Sequence, residues 1–330
     1  MRVSVVIPTQ RRPEGLTRAC RSVFAQQRVD HAAMELLVVD NDAAPSAAET
    51  VRRLAAEAPF PVRYVHEPRA GVANARNAAM AATDGELVAF LDDDEEASPG
   101  WLAALLDAQT RFGCDAVFGP VRARADWDRI PHAAYLERFF SRLGPAETGR
   151  IDGYYGCGDS LVRRAALPHP TRPFNAIRNL IGGEDDLLFG EMHERGASFA
   201  WSAEAWVWEH PAPERLRLGY AIRRAFAFGQ GPTAHSAACG DRLGVARWML
   251  IGVAQALLCG AEAAAKGLVG APGFPDALDR AARGVGKVLW WRIFKIRFYG
   301  LPAAKAAAAG KPSHNGAASF ETPAGAGSSR

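Results

Sequence analysis

The run Phe90-Leu91-Asp92-Asp93-Asp94-Glu95 places adjacent carboxylates directly after the apolar stretch Leu87-Val88-Ala89-Phe90. Like charges crowded together repel and favour solvent or a cation. At the C-terminal end of a buried strand they form a candidate site for a hard divalent metal, Mg²⁺ or Mn²⁺. Such an ion is held by one or two carboxylates and shares its shell with substrate phosphates. The same acids also suit the start of the next helix, expected from Pro99 to Phe112, because carboxylates favour helix N-termini. A second acidic group, Glu184-Asp185-Asp186, follows Gly182-Gly183 and leads into the helix-like Leu187-Leu188-Phe189-Gly190-Glu191-Met192. A carboxylate there can act as a general base, with at least one pKa raised by its like-charged neighbours. The tandem glycines would let the backbone approach a ligand closely. Here too the bland alternative is an acidic helix cap, and both readings can hold at once.

The elements that must carry these acids alternate. Val3–Ile7, Leu36–Val39, Val62–Val65 and Leu87–Leu91 are short runs rich in β-branched residues, separated by the helix candidates Pro13–Gln27, Ala47–Ala58 and Val72–Ala82. Near-continuous apolar runs of this length fit strands buried on both faces of a parallel sheet. Helix-length spacers imply right-handed crossovers. The expected fold class is therefore α/β, a doubly wound, mostly parallel sheet with a helical C-terminal extension. Asp40, the segment from Arg69 to Arg76 and the Asp92–Asp94 run fall at strand ends, where open α/β sheets bind ligands. From Ala123 to Arg150 the pattern loosens into a variable connection. Beyond it, Ser160–Val162, Phe199–Trp201 and Trp206–Trp208 read as short strands. Leu216–Phe228 reads as a helix carrying Arg217, Arg223 and Arg224.

The bulk properties exclude several classes. A chain of 330 residues, 48% hydrophobic and 23% charged, is an ordinary globular composition with room for one large core or two modest domains. A net charge of +3 is too small to argue for nucleic acid. Cys20, Cys114, Cys157, Cys239 and Cys259 are scattered and lack a Cys-x-x-Cys pair. That argues against a disulfide framework or a zinc site and fits a reducing compartment. The first apolar run is stopped by Pro8 and is too short for a signal-peptide core, so the N-terminal part is expected to stay in the cytosol. Trp248–Ala261 is almost wholly apolar but shorter than the ~20 residues that span a bilayer, which leaves a core helix or an interfacial one. Lys287, Trp290, Trp291, Arg292, Phe294, Lys295, Arg297, Phe298 and Tyr299 interleave basic and aromatic residues, as suits a headgroup layer or a packed helix. The Ala/Gly/Ser/Pro-rich tail is expected to be disordered.

Taken together, these positions resemble the family 2 glycosyltransferases of the GT-A fold. Val5-Val6-Ile7-Pro8-Thr9 with Arg11-Arg12-Pro13-Glu14 is similar to that family's first strand and loop. Val38-Val39-Asp40-Asn41 is similar to its second-strand nucleotide motif, and Gly71-Val72-Ala73-Asn74-Ala75-Arg76-Asn77 to the helix whose arginine faces the nucleotide. Phe90-Leu91-Asp92-Asp93-Asp94 matches the Asp-x-Asp signature, and Gly182-Gly183-Glu184-Asp185-Asp186 the Glu-Asp motif. Each motif alone is weak; five in the expected order, over roughly residues 3–230, are specific. The resemblance implies a non-processive, inverting enzyme that moves a sugar from a nucleotide-sugar donor, a UDP-sugar being favoured. The acceptor would be a glycan or lipid-linked glycan of cell-surface polysaccharide or glycoconjugate synthesis. Pro8, Thr9, Asp40, Arg76, Asp92 and Asp93 would bind the donor, with Arg76 pairing with Asp40 or touching the base. Asp94 would hold Mg²⁺ or Mn²⁺, joined by His210, whose alternative is a structural role. Asp185 would be the general base, flanked on the acceptor side by Glu184 and Asp186. Arg223 and Arg224 could hold the diphosphate from a mobile loop ending Phe228-Gly229-Gln230-Gly231. The implied organisation is a transferase domain over 1–232, a helical, membrane-associating region over 233–302 and a tail over 303–330. The implied location is cytoplasmic, peripheral at the inner membrane surface.

Some features depart from the pattern. Gln10-Arg11 stands where Tyr-Asn is more usual, and Arg247-Trp248 lacks a glutamine three residues before the arginine. The signature of processive synthases is therefore absent, and single-sugar transfer is expected. Gly156-Cys157-Gly158-Asp159-Ser160 lacks the third glycine of a dinucleotide fingerprint. A sugar-nucleotide pyrophosphorylase would need a glycine-rich basic loop after the first strand, yet no glycine appears before Gly15. A non-catalytic nucleotide-sugar-binding or membrane-tethering scaffold has no need of both Asp94 and Asp185, and both are present.

Overall fold

In the N-terminal half, β-branched runs and helix-length spacers become β1 (Val3–Thr9), α1 (Pro13–Phe24), β2 (Met34–Asp40), α2 (Ala48–Ala55), β3 (Val62–His66), α3 (Val72–Ala82) and β4 (Leu87–Phe90). A computed structural model describes residues 2–179 and 183–296 of this chain. Gly182, Arg297, Phe298, Tyr299 and the tail over 303–330 lie outside the described residues. The chain continues through β5 (Glu95–Ala97), α4 (Trp101–Phe112), β6 (Ala116–Phe118), β7 (Val121–Ala123), α5 (Ala133–Phe140), β8 (Gly149–Ile151) and β9 (Ser160–Arg163). Then come α6 (Glu184–Glu194), β10 (Phe199–Trp201), β11 (Val207–Glu209), α7 (Leu218–Ala238), α8 (Arg242–Leu268) and α9 (Phe274–Val288).

The main sheet runs β3-β2-β1-β4-β9-β6-β10-β8. Strands β1 to β4 are mutually parallel, with Thr9 opposite Asp40 and Val6 opposite Phe90. Between β4 and β6, β9 enters antiparallel to both. Val5, Val6, Ile7, Leu37, Val38 and Val39 are wholly buried, as strands covered on both faces require. One layer packs Leu16, Val23, Val51, Trp101 and Leu105 of α1, α2 and α4; the other packs Ala75, Met80, Phe189 and Met192 of α3 and α6. A second, three-stranded sheet, β5-β11-β7, begins right after the Asp92–Asp94 turn and sets Glu209 opposite Glu95. Strand ends, the acidic turn and the start of α6 thus meet along one edge.

The C-terminal helices differ from expectation in three ways. The loop expected around Phe228-Gly229-Gln230-Gly231 is helical, and α7 runs on to Ala238. Gly229 there meets the backbone of Arg283 in α9, where a Cβ would come within 2.2 Å, and Gln230 donates to the Leu289 carbonyl at 2.7 Å. The boundary expected after residue 232 falls inside this helix, and the described residues form one compact unit. Tyr135 of α5 donates to Asp279 of α9 at 2.9 Å, joining the helices to the sheet domain. Finally, α8 extends well beyond the apolar run, to 27 residues, long and apolar enough by length and composition to cross a bilayer. Only 6% of that window is buried, so the core-helix alternative does not hold.

Candidate active site

The site begins where β4 ends. Asp92 accepts from Arg76 Nη2 at 3.1 Å, and its own N–H donates to Glu95 at 2.8 Å. About a third of the Asp92 side chain stays exposed (36%). Asp93, in the turn after β4, faces the β1–α1 loop instead. It accepts from Thr9 Oγ1 at 2.8 Å and Arg12 Nη1 at 2.8 Å. Burial pushes its pKa up to about 6, against the pull of Arg12. Thr9 and Asp93 therefore brace the β1–α1 loop against the acidic turn. Asp94 accepts from the same Arg12 Nη1 at 2.8 Å and lies 3.4 Å from Arg215 Nη1.

Two expected contacts are replaced. Asp40 is wholly buried and accepts from Ala47 N at 2.6 Å, Tyr64 Oη at 3.0 Å and Ser46 Oγ at 3.3 Å. A carboxylate with three internal donors anchors the turn that leads into α2. Arg76 does not pair with Asp40. It is buried and bridges Asp92 to Glu184, with the Phe174 ring 5.7 Å from its guanidinium. The β2 loop instead offers Asn41, Asp42 and their partners. Arg11, at φ +55°, pairs with Asp42 through two bonds of 2.7 Å, and Gln10 Nε2 donates to the Asn41 carbonyl at 2.7 Å. Gln10-Arg11, the departure from the usual loop, is what ties these two loops together.

On the far side, Gly183 at φ +81° turns the chain into α6, and Glu184, Asp185 and Asp186 form its first turn. Acids there complement the helix dipole. Asp185 is half-buried, accepting from Cys157 N at 3.1 Å through one oxygen and from Asp186 N at 2.9 Å through the other. Glu184 is buried, and burial raises its pKa against the opposing charge of Arg76. Pro8 sits in β1 opposite Val39.

His210 Nε2 pairs with Glu96 at 2.9 Å, while its backbone N donates to the Asp94 carbonyl at 2.8 Å. Burial lowers its pKa, against the hydrogen bond to Glu96. What reaches Asp94 is thus the His210 backbone, and the ring lies with Glu96. Arg224 lies over Phe228 on α7, 5.0 Å from the ring centroid; the guanidiniums that meet Asp94 are those of Arg12 and Arg215.

Three further acids of the site have no role that the sequence alone suggests. Glu95 and Asp159 are buried and Glu209 is partly buried, beside Asp92 and Asp94. Burial raises the pKa of Glu95 well above the carboxylate range, with Asp92 and Asp159 adding to it. Burial takes Asp159 to about 7, against Arg142. Glu209 reaches about 8, through burial and then Asp94. Their burial comes from strand pairings distant in sequence, so no local pattern could have found them.

The chain matches the sequence profile described as Glycosyl transferase family 2 over residues 4–169. The chain belongs to that family. This glycosyltransferase is 38% identical over 231 residues to the succinoglycan biosynthesis protein ExoM of Rhizobium meliloti (strain 1021), covering 70% of this chain and 74% of that one. It is 32% identical to ExoW of the same organism over 123 residues, which is 36% of this chain and 38% of the relative. Its fold matches the S. aureus TarS 1-349 structure in complex with UDP-GlcNAc at a TM-score of 0.52 and 18% identity, covering 69% of this chain and 66% of that one. The UDP complex matches at 0.53 and 16% identity, over 87% and 90%. The mostly parallel α/β sheet with its helical C-terminal region is thus of the GT-A type.

Members of this family commonly depend on a divalent metal. Among the described residues no three His, Cys, Asp or Glu side chains converge as a ligand set. Asp92, exposed by a third, and Asp94 nevertheless flank one turn at the mouth of the site. Two carboxylates fit an ion whose shell is completed by phosphate oxygens, and do not form a closed protein cage.

Proposed function

We propose that this glycosyltransferase is a metal-dependent, inverting, non-processive enzyme that moves one sugar from a nucleotide-sugar donor, a UDP-sugar being favoured. The acceptor is a glycan or lipid-linked glycan of cell-surface polysaccharide or glycoconjugate synthesis. The observation that carries this reading is the Arg76 bridge, which gathers Asp92 and the first turn of α6, with Asp185, into one site. The TarS complexes with UDP-GlcNAc and UDP support a uridine donor, and the likeness to ExoM supports polysaccharide synthesis.

In this mechanism the Asp185 carboxylate takes the proton of an acceptor hydroxyl as its oxygen attacks the anomeric carbon. The carbon–oxygen bond to the diphosphate breaks, and its electron pair leaves with the nucleoside diphosphate. Attack from the face opposite the leaving group inverts the centre. Arg12 and Arg215, which already meet at Asp94, set positive charge where the leaving diphosphate gains negative charge. A Mg²⁺ or Mn²⁺ ion held by Asp92 and Asp94 would add Lewis-acid stabilisation when bound. Glu184 and Asp186 frame the acceptor side. The exposed face of α8 supports a peripheral position at the cytoplasmic side of a membrane.

Thermal stabilisation tests the donor site, because a ligand that binds only the native state raises its melting temperature by mass action. UDP, GDP, dTDP and CMP, with their sugars, are offered with Mn²⁺ or with EDTA, beside Asp94→Ala. A shift with UDP and UDP-sugars that EDTA and the substitution both abolish supports the reading. No shift with any nucleotide, in folded protein with Mn²⁺ present, overturns it.

A further inference from the structure

Between the two acidic centres runs the loop Gly156-Cys157-Gly158-Asp159, and its carbonyl oxygens converge on one guanidinium. Arg142, in the connection after α5, is fixed to Val121 of β7 by two backbone hydrogen bonds of 2.8 Å. Its Nη2 donates to the carbonyls of Gly158 at 2.7 Å, Gly119 at 3.0 Å and Asp159 at 3.3 Å. Its Nη1 donates to Gly156 at 3.2 Å, and the Tyr155 ring lies 5.8 Å away. The Asp159 carboxylate stands off at 4.0 Å. Arg142 thus directs its donors at backbone.

The opposite side of the loop touches both centres. Cys157 N donates to Asp185, and a Cβ at Gly156 would lie 3.1 Å from the same carboxylate oxygen. A Cβ at Gly158 would lie 2.8 Å from Asp92 and 2.9 Å from Glu95. At Gly158 a side chain would require Asp92 or Glu95 to shift. Asp159 is held at φ +55°, wholly buried, with Oδ2 lacking a hydrogen bond. A non-glycine residue persists in that region only where its surroundings over-determine it.

We propose that Arg142 is a positioning residue for the transfer: it holds the Gly156–Asp159 backbone so that the Cys157 amide orients the Asp185 carboxylate toward the acceptor hydroxyl that attacks a donor bound at Asp92. The inference rests on the reading of Asp185 as the base. A guanidinium suits the task because its five donors form a rigid fork, whereas a lysine offers one nitrogen. Misplacement by about 1 Å can cost on the order of 10²-fold in rate.

The test uses the full chain and two readouts. The first is amide hydrogen exchange of the peptide over residues 153–160 in the wild type, Arg142→Lys and Arg142→Gln. The second is nucleoside diphosphate release from UDP-sugars, with kcat and donor KM measured separately. Exchange should quicken in both variants while peptides of β1, β2 and β4 stay unchanged. In Arg142→Lys, kcat should fall by roughly 10-fold or more, with donor KM held within about 2-fold. Unchanged exchange, an unchanged kcat, a loss confined to donor KM, or a loss that tracks the melting temperature would each overturn the assignment. An Asp185→Asn protein that turns over donor as fast as the wild type would sink the base reading of Asp185, and this role of Arg142 with it. A wild type that turns over donor while Arg142→Lys matches it sinks Arg142 alone.

Discussion

Arg76 donates to Glu184 in the first turn of α6 and, through its other amino group, to Asp92 at the end of β4. One buried guanidinium therefore spans the centre of the site, from Asp92, which we propose faces the donor, to the residue before Asp185. Desolvation alone would make such a cation costly, but Asp92, Glu184 and Asp185 surround it and hold its pKa well above the ordinary arginine value. The arrangement couples two segments that lie far apart in the chain, and it makes the placement of α6 depend on the state of Asp92.

Removing that cation strands two carboxylates. Breaking a buried ion pair by deleting one partner typically costs about 3–5 kcal/mol, and Arg76→Ala is expected to lie in that range by urea denaturation. Arg76→Ala combined with Glu184→Gln should recover part of the loss, because the uncompensated buried charge goes with it. Additive losses in the double variant would mean that the two groups do not act as a pair.

Asp185→Asn keeps the shape of the side chain and an acceptor for one of its two backbone donors but removes the proton acceptor. General-base contributions run to about 10²–10⁴-fold, so kcat for sugar transfer should fall by that order. Stabilisation by UDP with Mn²⁺ should persist, since Asp185 lies on the acceptor side. Full turnover by the Asp185→Asn protein would remove the base assignment.

How far the sequence speaks can be judged from individual residues. Strands β1, β2 and β4 are legible because burial on both faces leaves mostly apolar residues between their ends, and the acids at the ends of β2 and β4 stand out against them. The start of α6 is legible for the same reason. Asp40 is not, because a carboxylate at a strand end can read a ligand or cap the following helix, and its sequence neighbours are the same in either case. The choice is made by Tyr64 and Ala47, which only the fold brings to it. Arg142 sits in a stretch that reads as a variable connection, since its partners are carbonyl oxygens and those carry no residue signature. The reach of α7 through Gly229 is hidden because glycine reads as a loop unless a neighbouring helix, here α9, needs the space.

Asp159 gives the fold a pH dependence. Its folded pKa of about 7 lies above the ordinary carboxylate value of 3.8, so the native state binds more protons than the unfolded chain between those values. Stability should therefore fall as pH rises from about 4 to about 7, each unit of pKa separation being worth about 1.4 kcal/mol. Asp159→Asn keeps an acceptor for Trp101 Nε1, which donates to Asp159 at 2.7 Å, and carries no charge to bury. Urea midpoints for this variant should decline less between pH 5 and pH 8 than those of the wild type. Parallel curves for the two proteins would show that Asp159 titrates normally.

The outer face of α8 carries the last prediction. Leu243, Leu250 and Leu257 recur every seven residues and are 86%, 71% and 69% exposed, with Leu258 and Leu268 beside them. Trp291, Ile293 and Phe294, after α9, are also exposed, and Arg242 and Arg247 of α8 and Arg292 and Lys295 add positive charge to these segments. Burying a leucine is worth about 1.5–3 kcal/mol, and each basic residue near an anionic surface adds about 1 kcal/mol. The chain should therefore sediment with vesicles of phosphatidylglycerol and phosphatidylcholine, and less so with phosphatidylcholine alone. Leu250→Glu with Leu257→Glu should release it without lowering its melting temperature, because neither side chain packs inside the protein. Screening sharpens with ionic strength, so 0.5 M salt should weaken the wild-type binding that a peripheral helix makes. A chain that resists both salt and alkaline carbonate would instead have α8 across the bilayer, and one that never leaves the supernatant would sink the membrane position altogether.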